Sequence, residues 1–76
     1  MSEILYFAGT RGRAFPGLPE ALRWTRTGGV VCMYIDGRPW KALYCNASGG
    51  MTTIRCDSQL DFAAVEFQLE HGLPVG

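Results

Sequence analysis

Three apolar segments separated by turn residues constrain the fold of this chain more than any other feature. They span residues 30–35, 40–45 and 51–56 and are rich in Val, Ile, Tyr, Trp and Thr. Asp36-Gly37 separates the first two, and Ser48-Gly49-Gly50 separates the last two. Asp-Gly between alternating apolar segments indicates a tight hairpin, because both central residues of a type I′ turn need positive φ. The sequence therefore predicts a three-stranded antiparallel meander.

Simple alternation through the two turns predicts which residues of the meander share a face. Cys56 then points away from Cys32 and Cys45. The expected core face carries Val31, Met33, Ile35, Trp40, Ala42, Tyr44, Thr52, Ile54 and Cys56. The opposite face, which we expect to be partly exposed, carries Val30, Cys32, Tyr34, Lys41, Leu43, Cys45, Met51, Thr53 and Arg55.

The segments around the meander predict one further strand and two helices. Residues 4–8 are apolar and predict a first strand, while the glycine-rich residues 9–17 predict a loop. Pro19 and Gly28-Gly29 are start and stop signals for a helix over residues 19–27. Ser58 with Asp61 predicts the N-terminus of a second helix, residues 59–71, which Gly72 ends. Since 76 residues leave room for one core, we expect residues 1–76 to form a single α+β domain of order β-α-β-β-β-α, with both helices on one face of the antiparallel sheet.

The second predicted helix carries two apolar stripes that lie nearly opposite each other. One consists of Leu60, Ala63, Ala64 and Phe67, and the other consists of Phe62, Val65 and Leu69. Only one stripe can face the sheet, and we expect Phe67 to join Ile54 in the core. The Phe62 stripe is then covered by the first helix, by residues 73–75 or by another molecule.

The net charge of zero removes the usual electrostatic attraction to nucleic acid or anionic membranes for the protein as a whole. The charges are nevertheless uneven, because residues 1–41 carry six bases and three acids whereas residues 42–76 carry one base and four acids. The candidate anion contacts are four arginines, namely Arg11, Arg13, Arg23 and Arg26.

The acidic residues of the second helix lack a basic neighbour within that helix. Glu66 and Glu70 are one turn apart, with Gln59 on the same strip, and like charges at this spacing destabilise an isolated helix. Two explanations remain open at this point. Either Arg23 and Arg26 neutralise the strip within the fold, or the strip awaits a basic partner surface.

Catalytic, metal and cofactor chemistry finds little support in the residues. The three cysteines, Cys32, Cys45 and Cys56, lack the close pairs typical of zinc sites, and a single His71 is a weak candidate base for a thiol enzyme. We expect no catalytic site, no metal and no cofactor. No apolar run reaches membrane-spanning length and Met1-Ser2-Glu3 opens without a basic signal-peptide segment, so we expect a cytoplasmic protein with no membrane contact.

The order helix, three strands, helix between Pro19 and His71 resembles that of double-stranded-RNA-binding domains. That family grips phosphates with lysines at the start of its last helix. The corresponding segment here is Asp57-Ser58-Gln59-Leu60-Asp61, which is acidic and would repel phosphate. Duplex RNA binding is therefore disfavoured, and we do not expect direct nucleic-acid binding to be the main function. The four arginines named above leave weak nucleic-acid binding by a domain of this kind as an alternative function.

A short, neutral domain without catalytic motifs, with an acidic helix and residual apolar surface, also resembles the small phage-encoded anti-CRISPR proteins in format. That resemblance implies a non-catalytic inhibitor, monomeric or weakly dimeric, that blocks the nucleic-acid-binding surface of a CRISPR effector complex. A small regulatory or assembly subunit is a further alternative. The predicted partner-binding residues all lie in the second helix: Gln59, Asp61, Phe62, Val65, Glu66, Leu69 and Glu70.

Overall fold

A computed structural model describes residues 2–10, 12–25, 29–45 and 48–75. It contains five strands and two helices, in the order β1 Ile4–Ala8, β2 Ala14–Phe15, α1 Leu18–Trp24, β3 Val30–Ile35, β4 Arg38–Cys45, β5 Met51–Arg55 and α2 Gln59–Glu70. The strands form one antiparallel sheet of order β2-β1-β3-β4-β5. The predicted α+β class, element order and meander are confirmed, with β2 added inside the segment that we expected to be a loop.

The hairpin between β3 and β4 turns as its sequence predicts. Asp36 and Gly37 have φ of 51° and 80°, the left-handed values that a type I′ turn requires at both central positions. The carboxylate of Asp36 also accepts a hydrogen bond from the Glu3 amide at 2.8 Å. The turn is thereby joined to the chain entering β1.

A β-bulge in β4 changes which residues share a face of the sheet. Met33 pairs with Lys41 and Tyr34 pairs with Pro39, so Trp40 is an extra residue between the two pairs. The Trp40 carbonyl accepts a hydrogen bond from the Cys56 amide at 2.9 Å. Simple alternation through the turn, which we expected, therefore assigns the residues of β4 beyond the bulge to the wrong face.

Each face of the sheet has its own core, and each core includes one helix. Val30 and Cys32 of β3 pack with Phe62 of α2 in the first cluster. Val31 and Met33 of the same strand pack with Ala21 of α1 in the second. Because successive residues of a strand point to opposite faces, α1 and α2 lie on opposite sides of the sheet. The expectation of both helices on one face is wrong.

The two helices also differ in how firmly their ends are defined. The Ser58 hydroxyl accepts from the Asp61 amide at 3.3 Å, as the predicted N-cap requires, and the Asp61 carboxylate accepts from the Asp57 amide at 2.9 Å. Helix α1 ends at Trp24, earlier than predicted. The Thr25 amide caps its last turn by donating a hydrogen bond to the Leu22 carbonyl. Neither helix has the length and apolar character needed to cross a membrane.

Candidate functional site

The inward side of α2 is the Phe62 stripe, contrary to our expectation. Phe62 and Val65 are buried in the core and Leu69 packs against it. These three residues were predicted to contact a partner, and the structure places them inside the fold instead. The physical reason is the placement of α1 on the other face, which leaves α2 as the helix that covers this side with its largest side chains.

The outward side of α2 is therefore the stripe that we expected in the core. We call Leu60, Ala63, Ala64 and Phe67 the outer stripe. All four residues are exposed, Leu60 at 81% and Phe67 at 54% of the full side-chain and backbone area. Residues at this spacing form a continuous line on one side of a helix, so α2 presents a lengthwise apolar surface to its surroundings.

Acidic and polar residues lie on both flanks of the outer stripe. Asp61 is exposed on one flank and Glu70 is exposed on the other, near the exposed Gln59. The helix contains no lysine or arginine. Charge next to the apolar line is therefore uniformly negative.

Glu66 has an internal role that separates it from the other predicted contact residues. Its carboxylate accepts hydrogen bonds from the Thr10 hydroxyl at 2.7 Å and from the Thr10 amide at 3.3 Å. Arg23, which we considered as its neutralising neighbour, belongs to α1 on the opposite side of the sheet. Arg26 lies outside the described residues. Among the described residues, the internal partner of the Glu66 carboxylate is therefore Thr10.

An open groove of about 1220 Å³ adjoins α2. Its lining includes Phe7 and Tyr34 from the sheet, Trp24 from the end of α1, and Glu66 and Glu70 from α2. The Phe7 and Tyr34 rings meet edge to face with centroids 5.0 Å apart. Aromatic faces and carboxylates together are suited to binding a cationic group. The groove, like the flanks of the outer stripe, is therefore suited to a positively charged partner.

The described contacts of His71 and of the two buried thiols, Cys32 and Cys56, do not join them as the pair that a thiol enzyme needs. Burial raises the pKa of Cys32 to about 12, and burial also raises the pKa of Cys56. The His71 ring stacks on Phe67 at 4.1 Å and its Nδ1 lies 2.9 Å from the Phe67 carbonyl oxygen. Among the described residues, no three side chains of the metal-binding types come together. We had expected Cys56 to point away from Cys32, but both belong to the same core cluster.

The predicted anion contacts lie on the other side of the molecule. Arg23 belongs to α1 and Arg13 precedes that helix, whereas Arg11 and Arg26 lie outside the described residues. Sequence reasoning did not name three further bases on that side, Arg38, Lys41 and Arg55. Alternation alone places Lys41 and Arg55 on one face, and the bulge brings Arg38 to the same face. The sequence signal that could have identified these bases was that they lie in two strands predicted to be neighbours.

Comparison of the chain with protein-family models, with curated proteins and with solved structures gives no match.

Proposed function

We propose that this protein is a non-catalytic binding protein that docks on a protein partner through the outer stripe of α2. The observation that carries the proposal is the exposure of Leu60 and Phe67 on the outward line of a helix whose opposite side already fills the core. Burying each of these side chains in a partner would contribute about 1.5–3 kcal/mol. Amphipathic helices commonly bind in this way, with apolar anchors about one turn apart entering a groove.

The charges around the stripe indicate the chemistry of the partner. Asp61 and Glu70 flank it, and α2 supplies no base. Two copies pairing through their outer stripes would bring acidic flanks together, which is unfavourable. An apolar groove rimmed by lysine or arginine is complementary in both respects.

A basic rim is typical of surfaces that hold nucleic acid. The specific form that we propose is therefore an inhibitor that occupies such a surface on a nucleic-acid-handling complex, of which a CRISPR effector is one. The format-level resemblance to anti-CRISPR proteins supports this form, and a regulatory or assembly subunit uses the same surface without blocking a nucleic acid.

Capture of the partner with matched variants tests the proposal. The wild-type protein, Phe67→Ala and Met51→Ala serve as immobilised baits in a host lysate, and bound proteins are identified by mass spectrometry. Met51 is the control because it is exposed to 50%, similarly to Phe67, but lies in β5 and outside α2. We expect one partner to be retained by the wild type and by Met51→Ala but lost from Phe67→Ala.

The captured partner is then titrated by calorimetry. Phe67→Ala should weaken binding by about 10-fold or more, the equivalent of at least about 1.4 kcal/mol. Equal affinity of Phe67→Ala and Met51→Ala for the partner would refute the docking surface. The oligomeric state of the protein alone is measured by sedimentation. If the wild type forms dimers and Phe67→Ala does not, the molecule that binds the outer stripe is a second copy of this chain.

A further inference from the structure

Among the described residues, the sheet separates the bases from the acids of α2. All five lysines and arginines that the structure describes lie on the α1 side, namely Arg13, Arg23, Arg38, Lys41 and Arg55. The acids of α2 lie on the other side. A net charge of zero therefore conceals one basic face and one acidic face.

Strand register places the three bases of β4 and β5. Lys41 pairs with Met33 and also with Arg55. Met33 belongs to the core cluster that contains Ala21 of α1, and cross-strand partners point to the same face. Arg38 pairs with Ile35, two residues beyond Met33, and shares that face.

The pairing of Lys41 with Arg55 is unfavourable for the fold alone. Like charges directly opposite each other in neighbouring strands destabilise a sheet. Arg55 does face Asp57, with 3.4 Å between Arg55 Nε and Asp57 Oδ1, but the two side chains are 71% and 78% exposed, so this pair contributes little. Of the acids, Glu20 of α1 also lies on this side. A bound anion would relieve the repulsion.

Both tryptophans of the chain contact residues of this basic side, and Trp24, at the end of α1, also lines the groove that Glu66 and Glu70 line from α2. Trp24 is 65% exposed and stacks on Phe15 with centroids 6.5 Å apart and planes inclined by 17°. The Arg13 guanidinium lies 5.3 Å from the Trp24 ring centroid. Trp40 packs against the α1-side core, and Lys41 Nζ lies 4.4 Å from its ring centroid. Each tryptophan is thus adjacent to a cation.

We propose that this basic aromatic face, defined by Arg13, Trp24, Arg38, Trp40, Lys41 and Arg55, binds single-stranded nucleic acid. The cations contact successive phosphates, and a base stacks on the exposed ring of Trp24. Single strands offer unpaired base faces for stacking, whereas a duplex keeps its bases stacked on one another. An acidic peptide would use the cations but would leave the exposed aromatic ring unused, so nucleic acid accounts for more of the face.

Fluorescence anisotropy with labelled single-stranded DNA and RNA of about 12 nucleotides tests the proposal, with tryptophan quenching as a second signal. We expect affinity to fall steeply between about 50 and about 200 mM salt. Trp24→Ala should weaken binding by about 5- to 150-fold. Leu73→Ala is the control, because it removes an exposed apolar side chain from the segment that follows α2, and it should bind normally.

A second variant tests the cations without touching a ring. Lys41→Gln with Arg55→Gln should reduce the salt slope by about 1.4, or about 0.7 for each lost phosphate contact, and circular dichroism should show that it remains folded. The proposal is overturned by an absence of binding at about 50 mM salt, by equal affinities of Trp24→Ala and Leu73→Ala for the single strand, or by binding to duplex that is as tight as binding to the single strand. A different outcome is that no oligonucleotide binds, while the wild type self-associates in a salt-dependent way and the double variant does not. The basic aromatic face would then bind the acidic side of a second copy of the protein.

Discussion

The carboxylate of Glu66 joins α2 to the segment that follows β1. Thr10 donates to both of its oxygens, through the hydroxyl at 2.7 Å and the amide at 3.3 Å. Spacing along the helix grouped Glu66 with Glu70 as one acidic strip. Spacing shows which residues share a face of a helix, but it does not show which loop packs against that face. Charge reversal at Glu66 would therefore test the stability of the fold.

Removal of the Thr10 contact should be measurable as a loss of stability. We expect Glu66→Ala to lower the free energy of unfolding by about 0.5–1.5 kcal/mol, since the hydrogen bonds are partly exposed. Thr10→Val should lose the hydroxyl bond alone and lower it by less. In urea denaturation the double variant should be less destabilised than the sum of the two single variants, whereas strict additivity would show that the two residues are not coupled.

The buried thiol of Cys32 makes stability depend on alkaline pH. Burial, together with the Glu66 carboxylate and Cys56, raises the pKa of this thiol from 9.0 to about 12. Above pH 9.0 the unfolded chain loses the Cys32 proton while the folded protein keeps it, so the free energy of unfolding falls as pH rises through this window. Denaturation at a series of pH values should show a smaller fall for Cys32→Ala than for the wild type. An unchanged slope in the variant would contradict the assignment.

At the scale of elements, the phase of α2 decides which of its residues are core and which are surface. Phe62 and Phe67 form a matched pair, because they are the same residue type in one helix, one buried and one exposed. We expect Phe62→Ala to lower the free energy of unfolding by about 3–5 kcal/mol. Phe67→Ala should change it by about 0.5 kcal/mol or less. Denaturant midpoints that moved equally would show that the phase is wrong.

The meander could be predicted because turn chemistry is local, whereas the phase of α2 could not. Asp36-Gly37 needs only its own backbone angles to specify the hairpin. Helix α2 has large apolar side chains on two opposite sides, so its own periodicity does not determine which side is buried. The bulge at Trp40 has no sequence signature of its own and depends on how β4 fits both β3 and Cys56.

At the scale of the whole molecule, the placement of the helices on opposite faces did have a signal in the sequence. Val30, Val31, Cys32 and Met33 are consecutive and apolar, and a strand that is apolar at every position is typical of burial on both faces. Sorting these residues into one core face and one partly exposed face missed that signal. The same sorting left Arg38 apart from Lys41 and Arg55, because it did not include the bulge at Trp40.

The same architecture predicts that stability is unevenly distributed. Strand β3 is hydrogen-bonded on both edges and buried on both faces, whereas β2 has two residues and lies at the edge of the sheet. In native-state hydrogen exchange, we expect β3 amides to exchange only through global unfolding and β2 amides to exchange at a lower free energy, through local opening. This difference bears on function, because Arg13 and Trp24 of the basic aromatic face are positioned by β2 and α1. An oligonucleotide bound there should slow exchange in β2 while leaving β3 at its global limit. Equal exchange free energies in β2 and β3 would instead show that the sheet opens as one unit, in which case the basic aromatic face is rigid before its ligand arrives.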